Sequence, residues 1–394
     1  MTDRVTVGRI FRAESGRSVA AVIGFCGDID VAEDAVQDAF IIALRKWPAE
    51  GLPPNPGGWI TTTARNHALD RLRREARGRE LVNEAVLTAP LEADDMPDDR
   101  LRLIFTCCHP ALATETQVAL TLRLLGGLST TEVANAFLMT EPAKAQRLVR
   151  AKRKIKAARI PYRVPDPGEL PSRLRPALAV IYLIYNAGLT NPALCSEAIR
   201  LARLLAALMP DEPEIAVLLA LLLLVESRRT SRTRPDGTFV PLGEQDRGQW
   251  NRRLITEGQA IVRRCLRRNL PGPYQIQAAI HAVHADAPAA DQTDWHQILA
   301  LYDQLLALTP TPVVALNRAI AVSEIHGPTT ALSLVDELDL GDYYAYHATR
   351  ADLLSQLGRD NEAQAAYERA AALAPTAAER QFLTLGGRRP GVPS

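Results

Sequence analysis

A chain of 394 residues with 47% hydrophobic and 23% charged residues is long enough for two or three domains and too apolar to be disordered. Its net charge of +1 excludes a uniformly basic or acidic polyelectrolyte, yet residues 1–165 carry 24 Lys/Arg against 20 Asp/Glu, and residues 166–394 carry 22 against 25. Aromatic residues are 5% of the chain and β-branched runs are scarce, while Ala, Leu and Arg dominate, so the expected class is all-α.

In chain order, Ile10 to Cys26 reads as a helix, Asp28 as the cap of the next, and Ala32 to Trp47 as a strongly amphipathic helix with Glu33, Asp34, Gln37 and Asp38 near its polar start. Leu52 to Gly58 holds three prolines and two glycines and reads as a loop. A third helix, dense in Arg in its second half, runs from Trp59 to about Gly78. Glu84 to Asp99 has six carboxylates, two prolines and no Lys or Arg, the composition of a flexible acidic linker. After helices at Leu101–Phe105 and Glu115–Leu125 comes a bihelical unit. Ser129 and Glu132 form a capping box, Val133, Ala134 and Phe137 face inward, Leu138 to Thr140 turn, and Pro142 opens a helix to about Ala158. Ile160 to Pro171, with four prolines, is a second linker. The remainder reads as helical. Pro210, Pro310 and Pro375 each end a similar helix, at spacings near multiples of the 34-residue tetratricopeptide length, and Gly358, Ala363, Tyr367 and Ala370 complete the clearest repeat.

The five cysteines show no disulfide spacing, and the N-terminus has no apolar segment of the signal-peptide kind. The longest apolar run, Ile215 to Val225, is too short to span a bilayer and reads as a buried helix. The expectation is a cytoplasmic protein with reduced thiols and no membrane partner. Cys107 and Cys108 precede His109, but adjacent cysteines chelate one zinc poorly, so they read as buried structural residues. His281, His284 and Asp286 lack a convincing further ligand. No metal or cofactor is expected, and no glycine-rich phosphate loop or nucleophile elbow suggests an enzyme.

The sharpest local signal is the run Lys144, Arg147, Arg150, Lys152, Arg153, Lys154, Lys156 and Arg159, with no acid among them. It lies on the second helix of the bihelical unit, where major-groove recognition places base-reading residues and phosphate-binding cations. The second signal is Trp59-x5-Arg65-Asn66-x3-Asp70-x2-Arg73-Arg74. An aromatic residue beside a cationic helix suits unstacked bases on a single-stranded backbone.

At these residues the chain resembles the extracytoplasmic-function sigma factors of the sigma-70 family. The Asp34–Trp47 helix, the loop and the Trp59 motif resemble region 2, and the helix carrying Gln146 to Lys152 resembles region 4. The resemblance implies residues 5–80 as region 2, 81–99 as an acidic linker, 100–163 as region 4, 164–173 as a proline-rich linker and 174–386 as a regulatory helical solenoid. It implies −10 recognition and melting through Trp59, Thr62, Arg65, Asn66, Arg73 and Arg74, aided by the loop Glu50 to Gly58. It implies −35 contacts through Glu141, Lys144, Gln146, Arg147, Arg150 and Lys152, and core-polymerase binding through Asp34, Gln37, Asp38 and Ile41. The implied partners are core RNA polymerase and promoter DNA. The C-terminal part resembles the helical extension of one subgroup. A groove with Tyr182, Tyr185, Asn186, Trp250, Tyr274, His284 and Asn317 would take a regulatory protein or ligand, unless these residues only pack repeats together. The alternative function is a helix-turn-helix regulator with a ligand- or peptide-sensing solenoid.

Overall fold

The computed structural model describes residues 4–76, 96–136, 141–188, 191–234 and 239–386. Among these there are eighteen α-helices and no strands, the all-α class read from composition. The chain divides into two compact units, residues 1–209 and 210–394.

In the first unit, α1 (Arg4–Cys26), α2 (Ile29–Glu50) and α3 (Pro56–Ala76) pack on one another. Asp28 caps α2 by accepting from the amides of Asp30 and Val31 at 2.9 and 3.2 Å. The core stripe of α2 is Ala32, Val36, Ala39, Phe40, Ala43 and Trp47. Helix α3 begins three residues before Trp59, which corrects the loop expected over Leu52–Gly58. Pro56 suits a first turn because it has no amide hydrogen to satisfy, and Asn55 accepts the Gly58 amide at 2.9 Å. The connection is therefore only residues 51–55. Ser18 and Thr61 share a buried hydrogen bond at 3.0 Å that pins α3 to α1.

Helices α4 (Met96–Cys107), α5 (Thr114–Leu124), α6 (Thr130–Ala136) and α7 (Glu141–Ala157) follow. The capping box forms, with the Ser129 amide on Glu132 at 2.8 Å and the Glu132 amide on Ser129 Oγ at 3.1 Å. Cys107 and Cys108 are buried. Phe137 and the turn Leu138–Thr140 lie outside the described residues, as does most of the acidic stretch before α4, and the side chain of Ala134 is not among those described. Gly16 of α1 lies against the backbone of Leu125, where a Cβ would sit 2.5 Å from the Leu125 carbonyl oxygen.

The proline-rich stretch is tied down. The Tyr162 hydroxyl lies 2.8 Å from the Ala20 carbonyl and 3.0 Å from that of Asp99, and Arg173 donates to the Phe105 carbonyl at 2.8 Å. Helices α8 (Leu170–Ala187) and α9 (Pro192–Leu208) pack on α4, and α8 also on α5. Arg200 of α9 donates to the Leu125 carbonyl at 2.8 Å. These bonds set the unit boundary after α9 rather than within the prolines.

In the second unit, α10 (Pro213–Glu226) is buried on all sides, as its apolar run requires. Helices α11 (Arg252–Leu266) and α12 (Pro273–Asp286) pack on it. Next come α13 (Trp295–Leu308), α14 (Pro312–His326), α15 (Pro328–Asp336), α16 (Tyr344–Gln356), α17 (Asp360–Leu373) and α18 (Ala377–Thr384), each packed on its predecessor. Ala363, Tyr367 and Ala370 lie in one core with Leu316 and Leu354. Gly358, at φ +71°, supplies the left-handed residue that ends α16.

Arg247 ties the loop before α11 to the end of α12. It donates to the carbonyls of His284 and, at 2.8 Å, Ala287, and its guanidinium lies 4.8 Å from the Trp250 ring centroid. Burial, reinforced by Arg228 and Arg247, pushes His284 down to about 4. Unfolded histidine titrates near 6.5. Between those pH values the unfolded chain binds a proton that the folded unit refuses, so the contribution is full above about 6.5 and is lost as pH falls toward 4. The second unit is expected to be about 2 kcal/mol less stable at pH 5 than at pH 7.5. Urea unfolding at the two pH values, with a flatter response in His284→Gln, checks this.

Candidate nucleic-acid interface

Helix α3 presents Thr62, Asn66 and Arg73 on one exposed face, at intervals of four and seven residues, with Arg74 exposed beside them. Arg65 is half-buried, its guanidinium 4.5 Å from the Phe25 ring centroid. Trp59 is also half-buried, edge-on to the fully buried Trp47 with ring centroids 5.4 Å apart. One face of Trp59 therefore belongs to the core.

Helix α2 lies alongside. Asp34 pairs with Arg71 of α3 at 2.5 Å, and Asp38 lies 3.8 Å from His67. Gln37 donates to Glu33 at 3.3 Å. Ile41 and Leu44 are 47% and 42% exposed, an unusual pair of bare apolar side chains on adjacent turns. They form one wall of a groove of about 740 Å³ that also takes in Val7, Phe11, Phe40 and Glu132. Gln37 and Ile41 share this groove, while Asp34 and Asp38 face α3.

The cations of α7 point two ways. Gln146, Arg150, Arg153 and Lys154 are exposed, and Arg147 pairs with Glu115 at the start of α5. Lys152 turns toward α2, with Nζ 2.6 Å from Glu33 and 2.8 Å from Asp30. Glu33 also takes Arg123 at 2.5 Å, and Lys156 lies 3.3 Å from Asp28. Burial disfavours the Lys152 ammonium, but the Glu33 charge and the bonds to Asp30 and Glu33 outweigh it and raise its pKa. Burial also opposes ionisation of Asp28, yet the Val31 amide and Lys156 hold its carboxyl below the usual range. The side chains of Glu141 and Lys144 lie outside the described residues.

Residues 10–78, which include this α2–α3 surface, match the family model described as Sigma-70 region 2. The whole chain is 42% identical over 405 residues to an uncharacterized protein of Rhizobium meliloti (strain 1021), covering 98% of this chain and 96% of that one. The region 2 match supports a sigma-70 family sigma factor. The match points to an RNA polymerase sigma factor, and α2 and α3 lie within its region 2. Residues 173–266 match a family of unknown function, DUF6596. No solved structure matches the chain. Among the described residues no helix is long and apolar enough to cross a membrane.

The groove residues expected in the C-terminal part of the chain fall in both units. Tyr182, Tyr185 and Asn186 lie on α8 in the first, and Trp250, Tyr274, His284 and Asn317 in the second. Tyr185 is 1% exposed and packs in its core. Trp250 and His284 both contact Arg247, and the His284 ring also stands edge-on to Trp295 at 5.3 Å.

Glu33 is the residue that sequence reasoning missed. In sequence it reads with the polar start of α2, yet it is 8% exposed and joins α2 to Arg123 and Lys152. The available signal was its position three and seven residues before Val36 and Phe40, on the buried stripe.

Proposed function

We propose that this sigma-70 protein is of the extracytoplasmic-function type: it binds core RNA polymerase, recognises −35 and −10 promoter elements and starts transcription, without catalytic activity of its own. The observation that carries the reading is the exposed Thr62, Asn66 and Arg73 face of α3, together with the bare Ile41 and Leu44 of α2, inside the stretch that matches Sigma-70 region 2. In this reading residues 5–80 melt the −10 element, 81–99 are the acidic linker and 100–163 read the −35 element. Residues 164–173 link to a tetratricopeptide-like helical part, 174–386, that modulates activity. Cytoplasmic location follows from the same assignment.

The chemistry is recognition. Trp59 offers a stacking edge, Arg65, Arg73 and Arg74 neutralise single-stranded phosphates, and Gln146 and Arg150 face outward toward base edges. Lys152 reaches phosphate only after leaving Asp30 and Glu33 of α2, so in this reading region 4 has to separate from region 2 for Lys152 to join the −35 contact, whereas Lys156 is 84% exposed.

Gel filtration with purified core polymerase tests the reading. The full chain is expected to co-elute, and Asp38→Arg to weaken binding about tenfold, as reversal of an interfacial charge does. Asp38 is exposed, so the fold survives the change. No co-elution, with tight sequence-specific duplex binding by the chain alone, would transfer the protein to the ligand-sensing regulators.

A further inference from the structure

Helix α11 is the most strongly two-faced helix of the second unit. Ile255, Gly258, Ile261, Val262 and Cys265 are buried, and the helix packs on α10 and α12. At Gly258 a Cβ would sit 2.8 Å from Leu224. This seats the helix firmly and fixes which face meets solvent. That face carries Arg252, Arg253, Thr256, Ala260, Arg263, Arg264 and Arg267, all exposed.

Its charge differs from that of the neighbouring helices. Elsewhere in the second unit several arginines meet carboxylates: the half-buried Arg229 with Glu226 at 2.6 Å, Arg318 with Asp303 at 2.6 Å and Arg350 with Asp336 at 2.7 Å, and the exposed Arg359 with Glu362 at 2.7 Å. Among the described residues, Arg252, Arg253, Arg263, Arg264 and Arg267 have no such partner. Arg268 alone at this helix end leans on Asp211, donating to its carbonyl at 2.8 Å. Between residues 252 and 270 the sequence has one acid, Glu257.

The helix macrodipole accounts for cations in the last turn, so Arg263, Arg264 and Arg267 alone would be unremarkable. It does not account for Arg252 and Arg253, which stand at the positive N-terminal end. Nor does a solvated helix face, which ordinarily mixes both signs. Arg263 and Arg267 are also like charges four residues apart, an arrangement that destabilises a helix in isolation. The stripe runs about 22 Å from Arg252 to Arg267, given a rise of about 1.5 Å per residue. Along duplex DNA that is about six base pairs at about 3.4 Å each.

Along the middle of the stripe stand Thr256 and Ala260, small enough to let a phosphate backbone approach. No aromatic side chain stands among them, and the one large apolar side chain exposed on α11, Leu266 at 50%, lies at the end of the helix rather than at the centre of the stripe, where a protein interface would bury its anchor. The guanidinium fork matches phosphate oxygens in pairs. We infer that the solvent face of α11 binds the phosphate backbone of duplex DNA, giving the C-terminal unit a nucleic-acid contact separate from regions 2 and 4. The choice of DNA among polyanions rests on the sigma-70 assignment. The contact itself does not require polymerase.

The test is fluorescence anisotropy of the full chain on a labelled random-sequence DNA duplex of about 30 base pairs, between about 50 and 200 mM salt. Each lost phosphate contact lowers the slope of log K against log salt by about 0.9. Arg263→Gln, Arg264→Gln and Arg267→Gln together are expected to reduce the slope by about 2–3 and the low-salt affinity more than tenfold. The matching Lys triple keeps the charge and is expected to keep the slope. Unchanged slope and affinity in the Gln triple would overturn the inference, as would equal loss in the Lys triple or no duplex binding by the parent chain at the lowest salt. If the Gln triple unfolds, Arg263→Gln and Arg267→Gln singly are each expected to lose about 0.9 of slope, and a failure of both to do so overturns it. Normal DNA binding with loss of core polymerase would assign the face to a protein partner instead. Failure of the sigma reading is seen separately, in whether the parent chain co-elutes with polymerase.

Discussion

Charge reversal at Glu33 is expected to destabilise the first unit by about 3 kcal/mol, the scale found when one partner of a buried ion pair is removed. Glu33 is the hub between α2 and the second helical group: Lys152 at 2.6 Å and Arg123 at 2.5 Å share its two oxygens. Both cations are themselves only 15% exposed, so solvent does not replace the lost carboxylate. In Glu33→Lys three cations would converge where one anion held two. Urea unfolding followed by circular dichroism measures the loss. A double-mutant cycle of Glu33→Gln with Lys152→Gln is expected to show coupling of at least about 1 kcal/mol. The same substitution has a functional consequence. With α7 released, Lys152 becomes available to phosphate, and duplex binding by the full chain is expected to rise severalfold. Glu337→Lys adds the same charge at an exposed site just after α15, clear of this network, so it serves as the control. Equal gains in both variants would mean that net charge, rather than release of α7, drives the binding.

The network also explains where sequence reading succeeds and where it stops. The bihelical unit was legible because its signals are local: Ser129 and Glu132 lie within one turn, and their reciprocal bonds form. The buried α10 was legible from its uninterrupted apolar run. The start of α3 was misplaced because proline and glycine usually mark loops. Here Pro56 opens the helix, and Gly57 lies close to Glu14, where a Cβ would sit 2.4 Å from the carboxylate. The inward turn of Lys152 was illegible for a different reason. Its partners Asp30 and Glu33 are more than a hundred residues away, and a run of eight cations gives no local hint of which faces inward. The tie between the proline-rich stretch and the first unit likewise depends on carbonyls far away in sequence, at Ala20 and Phe105, which no spacing rule reaches.

The two nucleic-acid surfaces are expected to separate kinetically. Arg147→Ala should weaken initial promoter binding by the holoenzyme about tenfold to a hundredfold, the range of one lost base-reading contact, and leave the subsequent opening rate unchanged. Arg147 pairs with Glu115 in the free chain, so on the proposed reading promoter binding would exchange a carboxylate for a base edge. Removing Glu115 instead, as Glu115→Gln, should strengthen initial binding modestly because that competition disappears. Arg65→Ala should do the reverse of Arg147→Ala, leaving initial binding within about twofold and slowing opening about tenfold, the scale of one stacking or single-strand contact. Arg65 is held 4.5 Å from the Phe25 ring centroid, so its guanidinium stands preorganised on α3 before DNA arrives. Anisotropy gives the first step, and permanganate reactivity of unpaired thymines gives the second. If both variants lost initial binding equally and opened normally afterwards, α3 would be acting as a second duplex-binding helix, and melting would have to be sought elsewhere in region 2.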